Sequence, residues 1–230
     1  MFIFSPLGED SHCFKRSYKG KEYLIEKDCC IKIAKPNTIK NEVELEEKAE
    51  FAIYPYSIKD GKIEVIEENT FKRKYPNAYD FLYENKEELE SRDKGKGNYP
   101  VWYAYGRTQG LNNQGYKLLI PYMSGEAIAV LSLDPELLFY CGYAIISDNI
   151  DELKLLRLFL KSKIFWYYLC KTSKPYAKGY MSLAKNYIAG FSIPEVSEDE
   201  KEELFNIDNQ KDRDVWICNK YNIDINALVL

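Results

Sequence analysis

LKLLRLFLKSKIFWYYLCKTSKPYAKGYMSLAKNYIAGFSIPE, residues 153–195, is the stretch on which the reading of this chain turns. Its first half places Leu153, Leu156, Leu160, Ile164 and Tyr167 at helical spacing, with Lys154, Arg157 and Lys161 on a separate stripe. That pattern predicts a long helix opening at 148–151 and ending near Cys170. Acids in its first turn and Lys171 past its end suit the helix dipole. A loop dense in Lys, Ser, Thr, Tyr, Pro and Gly follows, then a short helix at 182–188 and a strand-like segment at 191–194.

Charge is segregated around this stretch. Residues 153–190 hold eight Lys or Arg and no acid, whereas 191–230 hold ten acids against four bases. The net charge of −4 argues weakly against a polyanionic partner, but the local field of the acid-free span is what such a partner requires. The competing account is a basic helix packed beside an acidic C-terminal one. That last helix is announced by a capping box, Ser197 with Glu200, and is expected to carry Leu204, Ile207, Val215 and Cys218.

Towards the N-terminus the pattern changes from helical to period two. Residues 22–34 and 50–56 are rich in β-branched and aromatic side chains, and 62–67 alternate polar with apolar after the turn signal Lys59-Asp60-Gly61. The acidic run 41–50 reads as a solvated loop. Pro76-Asn77 opens a helix with Tyr79, Leu82, Tyr83 and Leu89 on one side, and it runs out in a flexible basic loop at 92–97. Three further strands are expected around 102–105, 116–122 and 138–146. Together these predict one α+β domain over residues 1–230, with a strand-rich N-terminal part on a mixed or antiparallel twisted sheet and a helical C-terminal part.

Composition excludes several classes of chemistry. The six cysteines include no CxxC pair, Cys29 and Cys30 are adjacent, and His12 is the only histidine, so zinc-ligand spacing is absent. Reduced thiols in a cytoplasmic protein are expected. No apolar run has the length of a membrane span, and the first residues lack the pattern of a secretory signal. Nucleotide-binding glycine loops, nucleophile elbows and metalloprotease motifs are all missing. Catalysis by this chain alone is therefore not expected, and no cofactor or metal site is assigned to it.

Two segments carry positive chemistry. In WYAYGRTQGL, residues 102–111, aromatic residues lead into Gly106, Arg107, Thr108, Gln109 and Gly110. Arginine forks onto guanine or phosphate, and glutamine pairs bidentately with adenine in the major groove. In KTSKPYAKGYMSLAKNYI, residues 171–188, ammonium groups and hydroxyls suited to phosphate oxygens alternate with tyrosines suited to stacking. Twenty tyrosines in the chain fit a surface that touches bases, sugars or peptides.

The order of these blocks resembles a known family, the TaqI-like C-terminal specificity domain of adenine-specific restriction-modification DNA methyltransferases. The matching blocks are AIYPY (52–56), YPNAYDFLYENKEELESRDKGK (75–96), WYAYGRTQGL, KLLIPYMS (117–124), FYCGYAIIS (139–147) and the opening stretch, covering about 52–195. The resemblance implies sequence-specific binding of double-stranded DNA by the target-recognition domain of an S-adenosylmethionine-dependent enzyme, some members being fused restriction-methylation proteins. Methyl transfer would then take place in a catalytic domain upstream, with the target adenine flipped into it. Its Asn-Pro-Pro-Tyr motif is not here; the nearest strings, Tyr54-Pro55-Tyr56 and Ile120-Pro121-Tyr122, lack that order. The chain is thus expected to bind DNA but neither to bind S-adenosylmethionine nor to methylate, and to act with a methyltransferase domain in cis or in trans, as part of a longer protein or as a stand-alone specificity subunit.

On this reading Lys171, Thr172, Ser173, Lys174, Lys178 and Lys185 hold phosphates. Arg107 and Gln109 read base edges, Tyr105, Tyr176 and Tyr180 stack, and Lys72, Arg73 and Lys74 touch flanking backbone. The rival readings are a protein-interaction module built on the tyrosines and the acidic C-terminal helix, and a small magnesium-dependent nuclease.

Overall fold

The period-two alternation of the first third becomes a set of antiparallel hairpins. The computed structural model describes residues 1–48 and 50–229 and shows two compact units. The first comprises Met1–Ala34, Lys48–Gln114 and Glu136–Leu138; the second comprises Lys35–Glu47, Gly115–Pro135 and Phe139–Leu230. The fold is α+β, as the pattern predicts.

In the first unit, strand Cys13–Tyr18 pairs with Lys21–Glu26, Phe14 opposite Ile25. Strand Tyr56–Lys59 pairs with Lys62–Val65 around the Asp60-Gly61 turn. Asp60 and Gly61 both take positive φ, 51° and 74°, the backbone that a two-residue hairpin turn needs to match strand twist. Glu50–Ile53 lies between Ile3–Phe4 and Cys30–Ala34, antiparallel to both. Three helices, Glu68–Lys74, Pro76–Glu84 and Lys86–Glu90, close this unit. They bury Phe71, Phe81, Leu82 and Leu89 against Ile25, Ile53 and Tyr103. Each fully buried side chain of this size contributes roughly 1.5–3 kcal/mol.

The helix opening at Pro76 is capped from across the chain, because the Glu26 carboxylate accepts the N–H groups of Asn77 and Ala78 at 2.8 and 2.9 Å. It ends early at Asn85, a buried amide that donates to the Phe81 carbonyl at 2.9 Å, and a separate short helix carries Leu89. The helix before it, Glu68–Lys74, was not expected. Glu67 starts it by accepting the N–H groups of Asn69 and Thr70, a capping role usually held by shorter side chains.

In the second unit, Tyr116–Ile120 is the central strand between Val130–Ser132 and Tyr143–Ser147, antiparallel to both. Helix Ile150–Leu160 covers this sheet, with Leu153 and Leu160 buried against Leu118, Ile120 and Ala129. Lys117 is fully buried in the central strand. Its ammonium donates to the carbonyls of Gly115 and Pro135 at 2.8 and 2.7 Å, and burial lowers its pKa.

Several expectations need correction. The long helix from 148 to 170 is two helices, Ile150–Leu160 and Lys163–Thr172. Ser162 splits them: its hydroxyl donates to the Phe159 carbonyl at 2.6 Å and accepts the Phe165 N–H at 3.3 Å, ending one helix and capping the next. The acidic run 41–50 contains a helix, Glu42–Glu47, because Asn41 caps the Glu44 N–H at 2.9 Å and Glu42 pairs with Arg157 at 2.8 Å. The strand expected at 138–146 is broken at Cys141, whose φ is 52°. There Gly142 approaches Pro36 so closely that a Cβ would sit 2.5 Å from it.

Residues 191–194 form no strand, and the final helix is likewise two, Glu198–Phe205 and Gln210–Lys220, with Asn209 capping the second. The Ser197–Glu200 capping box is present. Leu204 and Cys218 are buried as expected, while Val215 faces solvent. Residues 102–105 are not a strand. Among the described residues, no helix is long and apolar enough to cross a membrane.

Candidate nucleic-acid interface

Two sites emerge, one in each unit. In the second unit, residues 173–182 fold back on themselves as a short finger directly after helix Lys163–Thr172. Its two sides are tied by Tyr176 N–H to the Tyr180 carbonyl at 2.7 Å and by Ser182 N–H to the Lys174 carbonyl at 2.9 Å. At its tip Lys178 and Gly179 both take positive φ, 64° and 76°. Glycine adopts this backbone freely, which is why the chain can reverse there. The base is fixed by Met181–Ser182, which pairs with Met123–Ser124, and Met181 and Ser182 are buried.

The finger gathers most of the sequence-predicted residues of the acid-free span. Lys174, Tyr176, Lys178 and Tyr180 are exposed on it, with Lys171 at its root and Lys185 on the short helix Lys185–Ile188 beyond it. Lys174 lies 5.5 Å from the Tyr176 ring, and Lys171 lies 5.1 Å from that of Tyr167. Among the described residues no carboxylate pairs with Lys171, Lys174, Lys178 or Lys185.

The other bases of the span differ. Lys154 pairs with Asp151 at 2.9 Å, Arg157 pairs with Glu42, and Lys163 donates to the Ile225 carbonyl at 3.2 Å. Lys161 is half-buried, with its pKa lowered by that burial. The basic stripe is therefore part scaffold and part open surface.

The two hydroxyls assigned to phosphate are occupied. Thr172 Oγ1 donates to the Tyr168 carbonyl at 2.8 Å and Ser173 Oγ to the Ser182 carbonyl at 2.5 Å. A hydroxyl has one proton to give, so neither can donate to an anion while these bonds hold.

In the first unit the WYAYGRTQGL segment is an irregular loop beside a cleft of about 620 Å³. Its aromatic residues serve as anchors. Trp102 Nε1 donates to Glu68 at 3.0 Å, and Tyr103 stacks on Phe71 and donates to the Ile66 carbonyl at 2.6 Å. Tyr105 packs against Phe2, Tyr54 and Tyr56, donates its hydroxyl to the Ile53 carbonyl, and gives its N–H to the Tyr56 hydroxyl at 2.5 Å. Burial holds the Tyr105 phenol well above its ordinary pKa. These long-range bonds replace the ladder of the strand expected there. Tyr105 thus fixes the loop, and Gly106, Arg107, Thr108 and Gln109 project from it, exposed, along the cleft.

The same cleft is lined by residues that sequence reading did not single out, Asn98, Tyr99 and Asn112 among them. Only an irregular loop brings these together, so no periodicity could have marked them. Lys72, Arg73 and Lys74 are exposed at the C-terminal turn of helix Glu68–Lys74, where cations suit the helix dipole, and they do not line the cleft. Lys72 and Lys74 lie over the rings of Tyr79 and Tyr75 at 5.3 and 5.1 Å.

All six cysteines are free thiols, and among the described residues no group of three or more His, Cys, Asp or Glu is placed to hold a metal ion. No protein-family model matches the chain. A curated relative, the type II restriction enzyme and methyltransferase RM.Eco57I of Escherichia coli, is 32% identical over 120 residues, 49% of this chain. The match covers 12% of that much longer protein. Half of this chain is therefore similar to part of a restriction-modification protein.

Proposed function

We propose that this chain is a DNA target-recognition domain of an adenine-specific restriction-modification methyltransferase. The observation that carries the reading is the finger at 173–182. In a chain whose net charge is −4, it presents exposed lysines that have no carboxylate partner among the described residues, beside two exposed tyrosines. Unpaired ammonium groups on a projecting hairpin are suited to phosphates, and tyrosine faces are suited to sugars or bases. The partial similarity to RM.Eco57I supports the same reading.

Lys171, Lys174, Lys178 and Lys185 supply the sequence-independent grip and Tyr176 and Tyr180 the stacking faces. Arg107 and Gln109, held at the cleft by the anchored loop, supply base-edge contacts, a guanidinium fork for guanine and a carboxamide for adenine. Lys72, Arg73 and Lys74 contact flanking backbone. The chain binds duplex DNA, and methyl transfer from S-adenosylmethionine belongs to a catalytic domain acting with it in cis or in trans.

Binding of a fluorescent random-sequence duplex, followed by anisotropy across a salt series, tests this. Affinity should fall steeply with salt. Salt-insensitive binding, or none, would sink the proposal and favour a protein-interaction module. Plasmid cleavage on adding magnesium would instead identify a nuclease.

A further inference from the structure

The basic loop after helix Lys86–Glu90 is held in one conformation by its first residue. Arg92 is half-buried and distributes its guanidinium over three backbone carbonyls. Nε donates to Leu89 at 2.6 Å, Nη1 to Ala104 at 2.8 Å and Nη2 to Trp102 at 2.8 Å. One plane thereby joins the end of a helix whose Leu89 is buried to the segment that leads into Gly106, Arg107 and Gln109.

A second layer lies against the first. The Arg92 guanidinium sits 4.4 Å from the centre of the Tyr99 ring, and the Tyr99 hydroxyl donates to Asp93. Gly97 makes room for that ring, since a Cβ there would fall 2.3 Å from it. The far edge of the ring reaches Gly106, where a Cβ would lie 3.5 Å from the Tyr99 hydroxyl. Asp93, Lys94 and Gly95 all take positive φ, at 50°, 59° and 71°. Two non-glycine residues in succession in that region need outside support to persist, and the Tyr99–Asp93 bond supplies it.

We infer that Arg92, braced by Tyr99, is the positioning residue for sequence readout, setting where Arg107 and Gln109 stand without touching DNA itself. This rests on the reading of the cleft as a base-reading site. Each of its three nitrogens donates to a backbone carbonyl and its guanidinium lies over the Tyr99 ring, so its role is geometric, and lysine cannot replace it because an ammonium has no planar fork.

The test separates grip from discrimination. The full chain and its Arg92→Lys variant are each used to select duplexes from a randomised pool. The selected consensus and a scrambled duplex are then compared by anisotropy. The wild-type chain should enrich a consensus. Arg92→Lys should bind scrambled duplex within about twofold of wild type, because the finger lysines are untouched, and lose about tenfold or more in preference for the consensus, the weight of one bidentate base contact.

Tyr99→Phe, which keeps the ring and removes only the bond to Asp93, should move the preference in the same direction by less. An Arg92→Lys protein that enriches the same consensus with the same preference overturns the inference. So does one whose melting temperature and affinity for all sequences fall together, which would mark a merely structural residue.

Hydrogen exchange supplies a readout without DNA. Amides of 103–112 should exchange faster in Arg92→Lys while those of 173–182 stay as they are. Unchanged exchange at 103–112 also overturns the inference. If wild type binds no DNA yet this loop loosens, the proposed function fails and the brace stands.

Discussion

Replacing Lys174 and Lys178 together with alanine should change the salt dependence of DNA binding by an amount the structure lets one calculate. Four lysines, Lys171, Lys174, Lys178 and Lys185, are exposed on and around the finger and, among the described residues, have no carboxylate partner. If each neutralises one phosphate, log K against log salt has a slope of about −3.6, and raising salt from ~50 to ~200 mM weakens binding roughly 150-fold. With two of the four removed the slope becomes about −1.8, and the same step costs roughly 12-fold.

Lys154 is the internal control. It belongs to the same acid-free run but is paired with Asp151 at 2.9 Å, so Lys154→Ala should leave the slope near its wild-type value. Anisotropy titrations of a random duplex at five or six salt concentrations give all three slopes. A Lys154→Ala slope reduced as much as that of the double variant would refute the reasoning, since composition and not the want of a carboxylate partner would then govern binding. So would a double variant with an unaltered slope.

Three further outcomes follow from the scaffold. Tyr103→Phe keeps the stack on Phe71 but takes the donor from the partly buried Ile66 carbonyl, and should cost about 1 kcal/mol in urea unfolding; an unchanged midpoint would show that this carbonyl finds water. Ser162→Ala removes the cap between two helices and should cost about 1 kcal/mol, read from the same measurement. Lys117 has a folded-state pKa below its ordinary 10.5 because of burial, so the unfolded chain holds that proton to higher pH. Its contribution to stability should therefore improve as pH rises through the interval below 10.5, and the difference in unfolding midpoint between wild type and Lys117→Met should shrink or reverse across it. A constant difference would contradict the assignment.

What the sequence discloses depends on whether a feature is periodic or local. The hairpin at Asp60-Gly61 and the Ser197 capping box are both local, and both could be read directly. Helical spacing of Leu153, Leu160 and Ile164 correctly marks buried positions, yet it runs unbroken across Ser162, because a cap can end a helix without altering the apolar period. Aromatic density at 102–105 imitates a strand; there the backbone is held by hydroxyl and guanidinium bonds to residues distant in sequence, which no window detects. Charge density shows where the basic surface lies but not which lysines are spent. Arg157 looks like Lys174 in composition, and only the fold places Glu42 beside it.

The connectivity of the two units bears on how the molecule can be made. Their six segments alternate along the chain, so the polypeptide passes from one unit to the other five times. No single proteolytic nick or shortened reading frame can liberate either half intact. During synthesis the first unit also stays incomplete until residues 136–138 have left the ribosome, and a chimaera that exchanges one whole unit calls for all five junctions to be chosen together.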